Sequence, residues 1–162
     1  METNRFAPPR AEVADVVQGV AAPALWNPSA AARWSILLTP AFGALLQMKN
    51  WQALGEPERA ASSKVWAIVN LLALGAIVVA SAFLPDTKAL DALSRAAAVG
   101  LLLAWYFSSG RKQSPFVRAR FADSYPRRGW TQPLLLALAA FVGFMVAAAC
   151  LILAASMLGY ET

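Results

Sequence analysis

The chain has 162 residues, 59% of them hydrophobic and 14% charged, with a net charge of +5 and a mean hydropathy of +0.51. A soluble domain carries about 45–50% apolar and about 25% charged residues, so this composition is that of a membrane protein, and the length allows one domain. There is no His and a single Cys, Cys150, inside an apolar run. Cys/His metal sites, Cys/His nucleophile pairs and internal disulfides are thereby excluded, and no Gly-rich phosphate loop is present. No catalytic, cofactor-binding or metal-binding residue is expected.

Residues 1–33, "METNRFAPPRAEVADVVQGVAAPALWNPSAAAR", lack the basic start, continuous apolar stretch and small-residue cleavage site of a signal peptide. They are expected to stay on the mature protein as an N-terminal surface arm. Pro8-Pro9 and Pro23 with Pro28 bracket a segment, residues 11–20, suited to a short surface helix.

Residues 34–158 are predicted to form a helical membrane domain, an all-α bundle of four hydrophobic helices. The first runs from Trp34 to Met48, uncharged throughout but only about 22 Å long as a helix, with Pro40 in its middle. Pro40 removes a backbone donor, so the segment is either a kinked, tilted crossing, the favoured reading, or a re-entrant hairpin buried against neighbouring helices. The chain then turns polar in "KNWQALGEPERA". Asn50 is placed to cap the broken helix end, Gly55-Glu56-Pro57 supplies a turn, and Pro57 opens a short helix reaching Lys64.

Residues 65–84 and 134–158 each hold about the 20 uncharged residues that cross a hydrocarbon core near 30 Å. Residues 90–109 cross if Asp91 and Arg95 lie in the headgroup zone. An acid four residues before a base is an ordinary stabilising helix pair; the functional alternative is a gate or ligand contact. Asn70, the strong polar group in the second segment, is explained by an interhelical hydrogen bond of about 0.6–2 kcal/mol, against a substrate contact as its rival.

Small residues form stripes on these helices. Ala92, Ala96, Gly100, Ala104 and Ser108 recur every four residues in the third segment, a groove that admits another helix at close range. Ala140, Gly143, Ala147, Cys150 and Ala154 recur at alternating steps of three and four in the fourth, the seam of a left-handed packing pair, and Ser35, Thr39, Gly43 and Gln47 recur every four residues in the first. The stripes serve either a compact bundle or an interface with a protein partner or a second copy of the chain.

Residues 110–130, "GRKQSPFVRARFADSYPRRGW", form a basic loop expected on the cytoplasmic side. Arg111, Lys112, Arg118, Arg120, Arg127 and Arg128 are expected to contact anionic lipid headgroups. Ser114-Pro115 opens a short interfacial helix with Phe116, Val117 and Phe121 facing the bilayer. Nucleic-acid binding is the rival reading of a basic chain, but charges that flank membrane segments are accounted for by topology. Trp34, Trp51, Trp66, Trp105 and Trp130, five of the six tryptophans, fall at predicted boundaries, as interfacial anchors do. With four crossings the loop from Met48 to Lys64 is also cytoplasmic and the termini are exterior. A re-entrant first segment puts the N-terminal arm in the cytoplasm instead.

The string "LWNPSAAARWSILLTPAFGALLQMKNWQALGEPERA", with "FADSYPRRGW" ahead of the last hydrophobic segment, resembles a group of uncharacterised small proteobacterial inner-membrane proteins over residues 25–135. Some of that group carry the module behind an extra soluble domain. The resemblance implies a multi-pass protein of the bacterial inner membrane and favours an inside N-terminus with a re-entrant first segment; it brings no activity and no catalytic residue. The leading functional expectation is a non-enzymatic accessory or interaction subunit of an inner-membrane assembly. The alternatives are an immunity protein against a membrane-acting toxin and a small transporter or channel subunit.

Overall fold

Three prolines set the starts of the first three helices. The computed structural model describes residues 21–122 and 124–160, so the expected surface helix at residues 11–20 lies outside the described part. Pro28, Pro40 and Pro57 each sit in the first turn of a helix, where a missing N–H costs nothing. The helices are α1 (Pro28–Leu37), α2 (Pro40–Ala53), α3 (Pro57–Phe83), α4 (Lys88–Trp105), α5 (Gln113–Phe121) and α6 (Thr131–Met157). A π-helical turn, Tyr106–Gly110, joins α4 to α5. Among the described residues the only extended pairing is a single parallel bridge between Leu25 and Arg127.

Three helical stretches are long and apolar enough to cross a membrane: α3, the continuous run Lys88–Phe121, and α6. Residues 34–48 are not a fourth. Thr39 is extended (φ −169°, ψ 157°), and its hydroxyl accepts from Phe42 N at 3.3 Å as the N-cap of α2. Pro40 starts a new helix at this point, so the kinked single helix expected from the sequence is replaced by two helices with a break. Their outer ends meet: Trp26, just before α1, exchanges hydrogen bonds with Asn50 near the end of α2. At 10 residues, α1 is about 15 Å long, half the hydrocarbon thickness. The pair is therefore a helical hairpin whose tip is residues 38–40 and whose base holds both ends.

The turn after α2 matches the sequence expectation. Gly55 takes φ +74°, a left-handed conformation that Gly adopts at little cost, and Pro57 opens α3. The helix it opens does not stop near Lys64 but continues through the whole apolar run. At the other end of the molecule Phe83 and Tyr160 meet edge to face at 5.1 Å, so α3 and α6 run in the same direction. The Asp91–Arg95 pair forms as expected, at 2.9 Å and exposed.

Two buried clusters hold these elements. One, at the hairpin base, gathers Leu25, Trp51, Leu54, Ala60 and Val117, with Phe116, Phe121 and Tyr125 packed on it. The other, further along, consists of Ala44, Ala67 and Trp105, with Trp66 and Leu102 against it. Trp51 and Trp105 are 2% and 0% exposed, so these two expected interfacial anchors are core residues instead. Large aromatic rings fill the space left where small residues let backbones approach. Trp34, Trp66 and Trp130 remain half-exposed, with Trp34 and Trp130 in contact at 6.5 Å.

The tightest approach is at Gly43. A Cβ there would land on Ser35 Oγ and lie 2.8 Å from Trp105 Cη2, while one on Gly75 would meet nothing within 4 Å. Gly43→Ala should cost about 1–3 kcal/mol through overpacking, and Gly75→Ala should gain about 0.5–1 kcal/mol from helix propensity. Unfolding of the two variants in detergent micelles checks both signs.

Candidate functional site

The polar groups of the molecule concentrate at the hairpin base, where they build a buried amide network. Gln47 and Asn50 are one turn apart on α2, and Gln113 is the first residue of α5; Gln47 and Gln113 are each 0% exposed. Gln47 Nε2 donates to Gly110 O at 2.6 Å, and Gln113 Nε2 donates to Gln47 O at 3.0 Å. Asn50 Nδ2 donates to Gln113 Oε1 at 3.0 Å and to Trp26 O at 2.8 Å, while Asn50 Oδ1 accepts from Trp26 N at 3.1 Å. The π turn places one of these acceptors. The turn, closed by Arg111 N donating to Tyr106 O at 3.0 Å, ends at Gly110, whose O accepts from Gln47.

A second set of bonds ties the segment before α1 to the segment before α6. Leu25 N donates to Pro126 O at 3.0 Å, and Arg128 N donates to Leu25 O at 2.8 Å. Trp26 Nε1 donates to Gly129 O at 3.0 Å, and the Arg128 guanidinium stacks over the Trp26 ring at 4.7 Å. Ser29 and Ser114 share a hydrogen bond of 2.9 Å. Ser114 is thus committed to α1 and does not cap α5, whose N-cap is Lys112 with no side-chain hydrogen bond.

Two concavities open around this base. A cleft of about 450 Å³ lies between the start of α3 and the π turn, lined by Trp51, Arg59, Ser62, Ser108, Ser109, Lys112 and Pro115. Arg59 is held over the Trp51 and Phe116 rings at 5.0 and 4.6 Å, and it lies 3.5 Å from Glu56. A larger groove of about 660 Å³ runs between α2 and α6 over part of α3. Its lining is apolar except at the base, where Lys49, Arg128 and Gln132 stand, and at the hairpin tip, where Thr39 does.

The expected headgroup contacts Arg111, Lys112, Arg118, Arg120, Arg127 and Arg128 are all exposed at this end. Phe116 and Val117 do not face outward beside them: Phe116 packs edge to face on Trp51 at 5.0 Å, and Val117 is in the core. Asn70 is buried, but its Nδ2 donates to Trp66 O of its own helix at 2.8 Å and not across helices. The stripe Ala92, Ala96, Gly100, Ala104 and Ser108 is exposed along α4 and the π turn, and among the described residues nothing lies within 4 Å of a Cβ on Gly100. The stripe on α6 is likewise exposed, whereas Ser35, Gly43 and Gln47 of the first segment are buried. Among the described residues no group of His, Cys, Asp and Glu could hold a metal ion.

No sequence pattern marks Gln113 or Lys49 as a site residue. Gln47 stands out in the sequence only as part of a stripe and Asn50 only as a cap, although two amides one turn apart in an apolar helix signal a buried partner. No protein-family model, curated protein or solved structure matches the chain.

Asn50→Leu should strand Trp26 N, Trp26 O and Gln113 Oε1 and cost about 2–4 kcal/mol, since buried polar groups without partners lose their full hydration. In a double-mutant cycle with Gln113→Leu, thermal unfolding should return a coupling of about 0.5–3 kcal/mol. Additive losses would mean that the two amides act independently.

Proposed function

We propose that the chain is a non-enzymatic, multi-pass protein of the bacterial inner membrane that acts as an accessory or interaction subunit, with α4 as its partner-facing helix. The observation that carries this reading is the exposed small-residue stripe of α4. Apolar side chains gain little by meeting inside lipid, so a smooth groove is useful where another helix fills it and gains close van der Waals contact. The hairpin leaves that face uncovered, because it packs on α3 and on the π turn. An immunity protein would use the same surface, and the identity of the bound partner separates the two. A transporter reading has less support: the polar side chain inside α3, Asn70, is spent on its own helix.

The resemblance of residues 25–135 to small proteobacterial inner-membrane proteins favours that membrane. Clustered Arg and Lys favour a cytoplasmic base. With a re-entrant α1–α2 hairpin and three crossings, the N-terminal arm lies on the cytoplasmic side and the C-terminal end of α6 on the other. In a Cys150→Ala background, single cysteines at Ala21, Glu58 and Ser124 should resist an impermeant thiol reagent in intact cells, and one at Asp86 should react. Reaction at Ala21 with protection at Ser124 would restore the four-crossing topology.

Gly100→Leu is the test of the interface. Because a Cβ on Gly100 would meet nothing within 4 Å among the described residues, the substitution should leave the unfolding temperature unchanged yet dissociate the assembly seen by cross-linking in native membranes. Leu72→Phe, on an exposed face of α3, should change neither. An assembly that survives Gly100→Leu removes α4 as the partner-facing helix.

A further inference from the structure

The groove between α2 and α6 is polarised along its length in the way that a phospholipid is. Its mouth, at the hairpin base, holds Lys49, Arg128 and Gln132; its far end lies at Thr39 and Phe144. From Lys49 to Thr39 along α2 is about 15 Å, and from Gln132 to Phe144 along α6 about 18 Å. One leaflet of hydrocarbon is about 15 Å deep, half the bilayer core. The walls between these ends, Leu45 and Leu136 among them, carry no charge. We propose that the groove is a binding site for one anionic phospholipid of the leaflet on the basic side, its chains between α2 and α6 and its phosphate between Lys49 and Arg128.

Two features distinguish this site from the general lipid boundary. Arg128 is fixed in advance: its ring partner Trp26 is pinned by hydrogen bonds to Asn50 and Gly129, and its own N–H is bonded to Leu25 O. A preset cation loses little freedom when a phosphate arrives, whereas Arg118 and Arg120 do not line the groove. Among the described residues no acidic side chain lines the groove, and neither Lys49 nor Arg128 is ion-paired.

The full chain, delipidated in detergent, would be titrated with dioleoylphosphatidylglycerol, with dioleoylphosphatidylcholine and with glycerol phosphate, with bound lipid counted by native mass spectrometry. One phosphatidylglycerol should bind about thirtyfold more tightly than phosphatidylcholine, as two cations near a lipid surface supply, and glycerol phosphate should not bind. Lys49→Gln, which removes a charge that has no ion-pair partner among the described residues, should cost about fivefold for phosphatidylglycerol alone; Lys49→Gln with Arg128→Gln should erase the preference. Leu136→Trp, which fills the groove, should weaken both lipids together. Arg118→Gln with Arg120→Gln should leave the preference in place. Equal binding of the two lipids by the unmodified chain, an unchanged preference in Lys49→Gln, or an equal loss from the Arg118/Arg120 pair would each overturn the proposal. So would binding of glycerol phosphate alone, which would make the mouth a site for free phosphates.

Discussion

Everything at the basic end of the molecule depends on Asn50 reaching the backbone of Trp26. A helix broken inside an apolar environment leaves N–H and C=O groups that water cannot satisfy, so both halves must be closed off by other parts of the protein. At the tip Thr39 and Pro40 do this locally. At the base the task falls to one side-chain amide, which has a donor and an acceptor to offer and so can satisfy both the N–H and the C=O of one residue. Asn27 then caps α1 through Ser29 N and Ala30 N, and the hairpin is complete.

The two buried clusters stabilise by different physics. The cluster around Trp51 is beside the polar base, where water is the alternative environment, so burial of a large indole carries the ordinary hydrophobic gain. The cluster around Trp105 lies deeper, where the alternative is lipid and only packing contributes. That difference accounts for the tight fit of Ser35, Gly43 and Trp105 in one place and the looser aromatic and aliphatic mixture in the other. It also accounts for the sparse contact of α4 and α6 with the rest of the chain, since apolar faces in lipid have no need to be covered.

Run length and charge are enough to read α3, α6 and the Asp91–Arg95 pair from the sequence, because crossing a bilayer demands them directly. Proline chemistry announces a break at Pro40 but not its geometry, since a kink and a hairpin use the same residue. The choice is made by Asn50, Gln47 and Gln113, whose partners are 63 residues or more away along the chain for the α2–α5 contacts. No periodicity marks such pairs. Trp51 and Trp105 mislead for a related reason: a tryptophan at a helix boundary looks the same whether it faces lipid headgroups or another helix. The apolar run gives α4 an end at residue 109, but the π turn carries it on into α5, because Gly110 lets the Trp105 ring lie 3.3–3.4 Å from where a Cβ would be.

The bridge between Leu25 and Arg127 gives the chain a defined order of assembly. Closing a loop of about 100 residues costs roughly 4 kcal/mol of chain entropy, too much for two backbone hydrogen bonds to meet unaided. Helices α3 and α4 and the π turn must therefore already be in place, which shortens the effective loop before the bridge closes. During synthesis at a membrane, the hairpin emerges early, when neither Gln113 nor Arg128 yet exists, and the Asn50–Trp26 clasp and the Ser35–Gly43 packing are closures it can make within itself. The bridge needs Arg127, so it can form only once the segment ahead of the last helix has been made.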